Sequence, residues 1–125
     1  MKTLTIHQPY AWAVMQIEGK KIENRTWETH YRGRFWVHAG KQWRPEAAAW
    51  IRNQFGLLVP DRKDAVFGAI LGSVELVDVT YDADEWTEWA VPGMCHWLLR
   101  HPKRLPEPIL NIPGRQGWWN YEREV

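Results

Sequence analysis

The chain of 125 residues has a single cysteine, Cys95, so no disulfide can form within it and nothing demands an oxidising compartment. It also lacks an excess of charge of either sign, the formal net charge being +1. Proteins that coat duplex nucleic acid by bulk electrostatics need many Lys and Arg side chains against the phosphates. That mode is excluded, and any contact with nucleic acid has to be local. Long apolar runs are missing too: none approaches the ~20 residues of a membrane span, and Met1-Lys2-Thr3-Leu4-Thr5-Ile6 is too poor in apolar residues for a signal peptide. The expectation is a soluble protein of the cytoplasm that does not engage a membrane. His7, His30, His38, His96 and His101 are spread along the chain without the spacing of a closed zinc site, so neither metal nor cofactor is expected. Ser73 lies outside any G-x-S-x-G context and no glycine-rich phosphate loop precedes a helix, which sets aside covalent serine chemistry and nucleoside-triphosphate hydrolysis.

Tryptophan, by contrast, is abundant. Ten indoles combine large apolar faces with single N–H donors, suiting either core packing or stacking on a flat ligand, and packing is the expectation for most. The length fits one compact domain over residues 1–125. Lys2 to Ile6 alternates as a strand, and Pro9 opens a helix with an apolar stripe of Ala11, Val14, Met15 and Ile17 that Gly19 ends as a cap. Lys21 to Trp27 reads as a second strand. Arg34 to Ala39 reads as a third, with Phe35, Val37 and Ala39 on one face. Pro45 to Ile51 predicts a helix ending near Gly56. The apolar stretch Val66 to Val79, interrupted by Gly68 and Gly72, predicts a long strand bent by a bulge. His96 to Leu99 is a further strand, and Pro102, Pro106, Pro108 and Pro113 mark an extended tail. The sum is a mostly β, α+β fold: a small, largely antiparallel barrel with short helices at its rim and a ligand cleft outside a filled interior.

Chemistry concentrates in Lys20-Lys21-Ile22-Glu23-Asn24-Arg25-Thr26-Trp27. On an ideal strand Lys21, Glu23 and Arg25 share a face, and Lys20 joins them only if the turn at Gly19 redirects it. Lys20 is then a phosphate contact or, if desolvated, a proton acceptor. The alternative is a solvated lysine beyond a helix end. Glu23 and Arg25 form either a sheet-stiffening ion pair or a site in which the guanidinium meets a phosphate or base edge while the carboxylate accepts from an exocyclic amine. Glu75, inside an apolar run, either points to solvent or is kept as a proton donor that pairs with Lys20. His7 and Gln8 stand at a helix start, either holding an anion or capping the helix. Tyr31, Arg32 and Arg34 with Trp36 and Trp43 make an aromatic–basic set that either carries single-stranded RNA or packs at the surface.

The blocks Ile6-His7-Gln8-Pro9-Tyr10-Ala11-Trp12, Gly19 to Trp27, Tyr31-Arg32-Gly33 and His38-Ala39 resemble those of the ASCH domain family, which is similar in fold to the PUA domains of RNA-modifying proteins. Lys20, Glu23 and Arg25 match the last three positions of its signature Gly-x-Lys-x-x-Glu-x-Arg. The first glycine falls on Glu18, with Gly19 one place later. Gly68 to Glu75 and Gly114 to Trp119 extend the likeness. The resemblance implies RNA or nucleotide binding in a cleft lined by His7, Gln8, Pro9, Tyr10 and Trp12 beside Lys20, Glu23 and Arg25, and adds Trp27, Tyr31, Arg32 and His38 to the ligand-binding set. It also implies an alternative, a metal-independent hydrolase acting on N4-acylcytidine or on RNA, with Lys20, Glu23 and Glu75 as catalytic groups. Relatives of that kind can carry a threonine hydroxyl where this chain has Glu23, so hydrolysis here would use activated water. Single-stranded RNA or a modified nucleoside is the expected partner, with no obligate protein partner and no cofactor. An adaptor for other proteins would instead show exposed tryptophans clustered away from the charged strand.

Overall fold

The computed structural model describes residues 1–122. Strand β1 (Lys2–Gln8) leads into a short helix α1 (Tyr10–Val14), followed by β2 (Ile22–Arg25), β3 (Gly33–Trp43), helix α2 (Pro45–Phe55), β4 (Ala69–Thr80), β5 (Cys95–Ile109) and β6 (Trp119–Asn120). The strands form one sheet in the order β2-β5-β4-β3-β1-β6, and every pairing is antiparallel except β1 with β3. That parallel pair needs a crossover, which α1 and β2 supply. The mostly β, α+β architecture is as expected. The barrel is not closed, because among the described residues β2 and β6 are the two ends of the sheet and do not pair.

The sheet nonetheless curls. Trp118, next to β6, packs edge-on against Trp27 just beyond β2, at 6.5 Å between ring centroids, and stacks on Trp97 of β5 at 5.4 Å. Phe35, Val37, Leu4, Leu76 and Trp97 fill the space between, fully buried, each apolar side chain contributing about 1.5–3 kcal/mol relative to exposure. A second cluster gathers Ala48 and Ile51 of α2 with Ile22, Val59 and Trp89. Packing accounts for most of the tryptophans; only Trp50 and Trp86 are among the exposed large apolar side chains.

Two elements, α1 and β5, depart from the sequence reading. Helix α1 is a little over one turn, and Met15 to Gly19 continue as turns. β5 runs straight through Pro102, Pro106 and Pro108, where a tail was expected. Its partner β2 covers only Cys95 to Leu98, so beyond that point one edge of β5 has no ladder and proline removes no sheet hydrogen bond. A bulge at His101, which has φ of 55°, absorbs the extra residue opposite Ser73 and Glu75. The bends expected in β4 are present as register shifts on both sides of the strand. Helix α2 begins on Pro45 as predicted, and Gly56 ends it in the left-handed conformation, φ 66°.

Candidate nucleotide-binding cleft

The candidate site is the open seam of the sheet. β1 and β2 face each other without pairing, and the gap between them is a cleft of about 430 Å³, a volume ordinary for a small-molecule pocket. β1 contributes Thr5, Ile6 and His7, and β2 with its approach contributes Lys20, Glu23, Asn24 and Arg25. Tyr10 of α1, Trp50 of α2 and the loop carrying Glu88, Trp89 and Met94 close the remaining sides.

Gly19 decides which lysine enters. The turn after α1 folds back so tightly that a Cβ at Gly19 would lie 1.9 Å from the Ala13 carbonyl oxygen, so only glycine fits; its φ is not left-handed and it is no helix cap of that kind. Lys20 N–H then donates to that same carbonyl at 2.9 Å, which aims the Lys20 side chain inward. Lys21 points out and donates from Nζ to the Ile17 carbonyl. The strand-face grouping of Lys21 with Glu23 and Arg25 is thereby overturned, because β2 starts only at Ile22.

Glu23 is the hub. Its Oε1 accepts from Lys20 Nζ at 2.8 Å and its Oε2 from Arg25 Nε at 2.9 Å, with the side chains of Lys20 and Glu23 3 % and 8 % exposed. Burial opposes ionisation of Glu23, but the two adjacent cations and their hydrogen bonds outweigh it and hold the carboxyl below its usual range. The cluster is therefore ionised at neutral pH and carries one net positive charge. Arg25 also donates from Nη2 to the Thr5 carbonyl at 3.0 Å, a side chain bridging the two edges that the backbone leaves unpaired. Lys20 Nζ lies 5.4 Å from the centre of the Tyr10 ring, within cation–π range. His7 stands at the solvent edge, where burial first and then Arg44 and Arg25 push its pKa down, against the pull of Glu23. Tyr10 is shifted the other way, by burial and by Glu46 and Glu23.

Several expected site residues lie elsewhere. Glu75 is on β4 opposite Arg34 and Arg100, with its carboxylate 4.0 Å from His101 and outside the cleft lining, so no Lys20–Glu75 acid–base pair exists. Gln8 caps α1: its Oε1 accepts from the Trp12 N–H at 2.9 Å and its Nε2 donates to the Val66 carbonyl, using the amide group that an anion would have needed. Gln8 and Trp12 face a different hollow, beside Met15 and Leu71. Pro9, buried, forms the N-cap of α1 behind Tyr10. Trp27 packs edge-on against Trp97 at 4.8 Å. Tyr31 packs on Trp118 and bonds the Arg34 carbonyl, while Arg32 turns back to the carbonyls of Thr29 and Tyr31 and lies 3.5 Å from Asp78. Trp43 is at the far end of β3 from Tyr31, roughly 30 Å along an extended strand, so the aromatic–basic set is never assembled. His38 is spent internally: its Nε2 donates to the Ile112 carbonyl at 2.6 Å, and its Nδ1 accepts from Thr5 Oγ1, which itself accepts from Trp119 Nε1.

Sequence reasoning missed Asn24 and the wall behind it. Asn24 donates to the Trp89 carbonyl at 2.9 Å and accepts from the Val91 N–H at 2.8 Å, pinning the 88–94 loop over the cleft. Trp50 packs edge-on to Trp89, which stacks flat on Phe55 at 3.9 Å. A hint was present in the sequence, since Trp50 lies at the flank of the Ala47, Ala48, Ile51 stripe rather than on it. Among the described residues no three His, Cys, Asp or Glu side chains gather as a metal would require, and no helix is long and apolar enough to cross a membrane.

Comparison with known proteins gives the family. Two relatives, both named activating signal cointegrator 1, are 37 % identical in Mus musculus and 36 % in Homo sapiens over 81 residues, 60 % of this chain. The match spans only 14 % of each relative's own length. The ASCH domain model matches residues 4–122, nearly end to end, and the chain belongs to the ASCH domain family.

Proposed function

We propose that this protein binds single-stranded RNA or a nucleotide, and that the seam cleft receives one base together with its phosphate. The observation that carries the reading is the set of unspent donors on the cleft floor. Lys20 gives one N–H to Glu23, and Arg25 gives one to Glu23 and one to Thr5. Among the described residues their remaining N–H groups have no acceptor, and both side chains line a hollow walled by the Tyr10 and Trp50 rings. Such a floor selects an acceptor-rich guest, a phosphate or the carbonyl and ring-nitrogen edge of a base, and the aromatic walls supply stacking surface. Glu23, with both oxygens engaged by cations, serves to orient those cations rather than to recognise an exocyclic amine.

The same geometry disfavours the hydrolase. A general base needs a free lone pair aimed at water and a proton donor near the leaving group. Glu23 is held by two cations, Lys20 is paired as an ammonium, and Glu75 is outside the cleft. The deciding experiment measures fluorescence anisotropy of a labelled single-stranded octaribonucleotide and, in parallel, turnover of N4-acylated cytidines. Saturable RNA binding that weakens at least tenfold in Arg25→Ala, with no turnover, supports the reader. Turnover abolished by Lys20→Met supports the enzyme, and no binding in the wild type refutes the reader.

A further inference from the structure

Beyond the cleft, the same face of β1 and β3 carries two more hollows in series. The first, about 280 Å³, shares Thr5 with the cleft and is bordered by Gly40 and Lys41 of β3 and by Gly68. The second, about 470 Å³, shares Lys41 and Gly68 with the first and adds Phe67 and Asn111. Gly40 of β3, itself buried, lies under the border between the cleft and the first hollow. A Cβ there would lie 3.2 Å from Thr5 Cγ2 and 3.7 Å from His7 Nδ1, so the close packing of these two β1 side chains on β3 depends on the missing side chain. Its φ is not of the left-handed kind, so conformational need does not explain the glycine.

The order of groups along this track is an aromatic wall (Tyr10, Trp50), cations (Lys20, Arg25), the shared border at Thr5, an exposed cation (Lys41) and a half-buried aromatic (Phe67) packed edge-on to Trp43 at 6.4 Å. Alternating stacking faces and phosphate contacts are what successive nucleotides of a single strand require. Glu46 of α2 and Glu88 of the loop line neither of the two further hollows.

Resting on the reading above, we propose that the protein binds at least two consecutive nucleotides, the second placing its phosphate on Lys41 and its base against Phe67, past the Thr5 border that the cleft and the first hollow share. The test titrates cytidine 5′-monophosphate and single-stranded oligocytidylates of two, four and eight residues into the full chain. Wild-type affinity should rise about tenfold or more from one to two or four nucleotides. Lys41→Ala, an exposed change, should erase most of that gain, leave mononucleotide affinity within about twofold, and lower the salt dependence of oligonucleotide binding by about 0.7 in log–log slope. Equal affinity for mononucleotide and oligonucleotide would overturn the two-nucleotide track while leaving the cleft reading standing. A length gain untouched by Lys41→Ala overturns the assigned path. If no length of RNA or nucleotide binds, both fall together.

Discussion

Replacing Glu23 by glutamine keeps the shape of the hub and removes only its charge. In the wild type the carboxylate bonds Lys20 Nζ at 2.8 Å and Arg25 Nε at 2.9 Å, and the lysine side chain is 3 % exposed. Glu23→Gln therefore leaves a buried ammonium beside a guanidinium with no counter-charge. Removing one partner of a buried ion pair costs about 3–5 kcal/mol, and since the amide oxygen still accepts one hydrogen bond the lower end applies, about 3 kcal/mol. For a chain of this size that is a fall of roughly 12 °C in Tm. Urea unfolding followed by tryptophan fluorescence reads the same quantity as a shift of midpoint at constant slope. The sharper test is the cycle with Lys20→Met. On the wild-type background this substitution destabilises, because Glu23 loses its nearer cation. On the Glu23→Gln background it should be neutral or stabilising, because it removes the uncompensated charge, giving a coupling of about 1.5–3 kcal/mol. An equal cost of Lys20→Met on both backgrounds, or a loss below about 0.5 kcal/mol for Glu23→Gln, would refute the hub.

The depressed Glu23 carboxyl gives a pH signature: its stabilisation is complete above the ordinary carboxylate range near 4.5 and is lost as pH falls below it, so acid unfolding of Glu23→Gln should lack that component in urea titrations at stepped pH. His7 is held neutral by burial and by Arg44 and Arg25, so RNA affinity should rise as pH falls from 7.5 and the ring gains charge below the usual histidine range. The rise should vanish in His7→Asn, and a pH-independent wild type would contradict it. Asn24→Ala should cost about 1–2 kcal/mol and speed hydrogen exchange selectively in the 88–94 loop, whereas uniform acceleration would mean that Asn24 does not pin it. Gly19→Ala should be among the most destabilising single methyl additions in the chain and should weaken RNA binding, since the methyl would drive the Lys20 turn off the Ala13 carbonyl; circular dichroism melts alongside anisotropy check both effects.

The fold class and the helix starting at Pro45 were legible because alternation, a proline at the first helical position and a glycine beyond the last are local signals. Of β5 only the start, His96 to Leu99, was legible, because the three prolines beyond it read as a tail unless one knows that β2 covers only its first residues. Glu75 illustrates the same limit from the chemical side. Its apolar neighbours in sequence left open a desolvated proton donor or a solvent-facing carboxylate, and the bulges in β4 and β5 put it opposite two arginines at a half-exposed position away from the cleft. Gln8, expected either to help hold an anion or to cap the helix, caps it through Trp12 four residues on, while its second bond, to Val66, and that of His38 to Ile112 go to partners 58 and 74 residues distant that no local pattern reveals.

The charged triplet could be named from sequence while its arrangement could not, and the reason lies in the unfinished barrel. A strand of four residues paired on one side only cannot close the sheet, so β2 presents an open edge toward β1, and that edge has to be satisfied by something other than a ladder. Arg25 reaches across to the Thr5 carbonyl, Glu23 holds Arg25, and Lys20 holds Glu23 once the Gly19 turn has delivered it. Side chains stitch the seam where backbone hydrogen bonds would have sealed it. A sealed seam would hold no guest; a stitched one leaves a gap with polar donors on its floor. The physical step that makes the site is thus the shortness of β2. Lengthening its pairing with β1, for instance by a disulfide-tethered seam, should raise stability and eliminate ligand binding together.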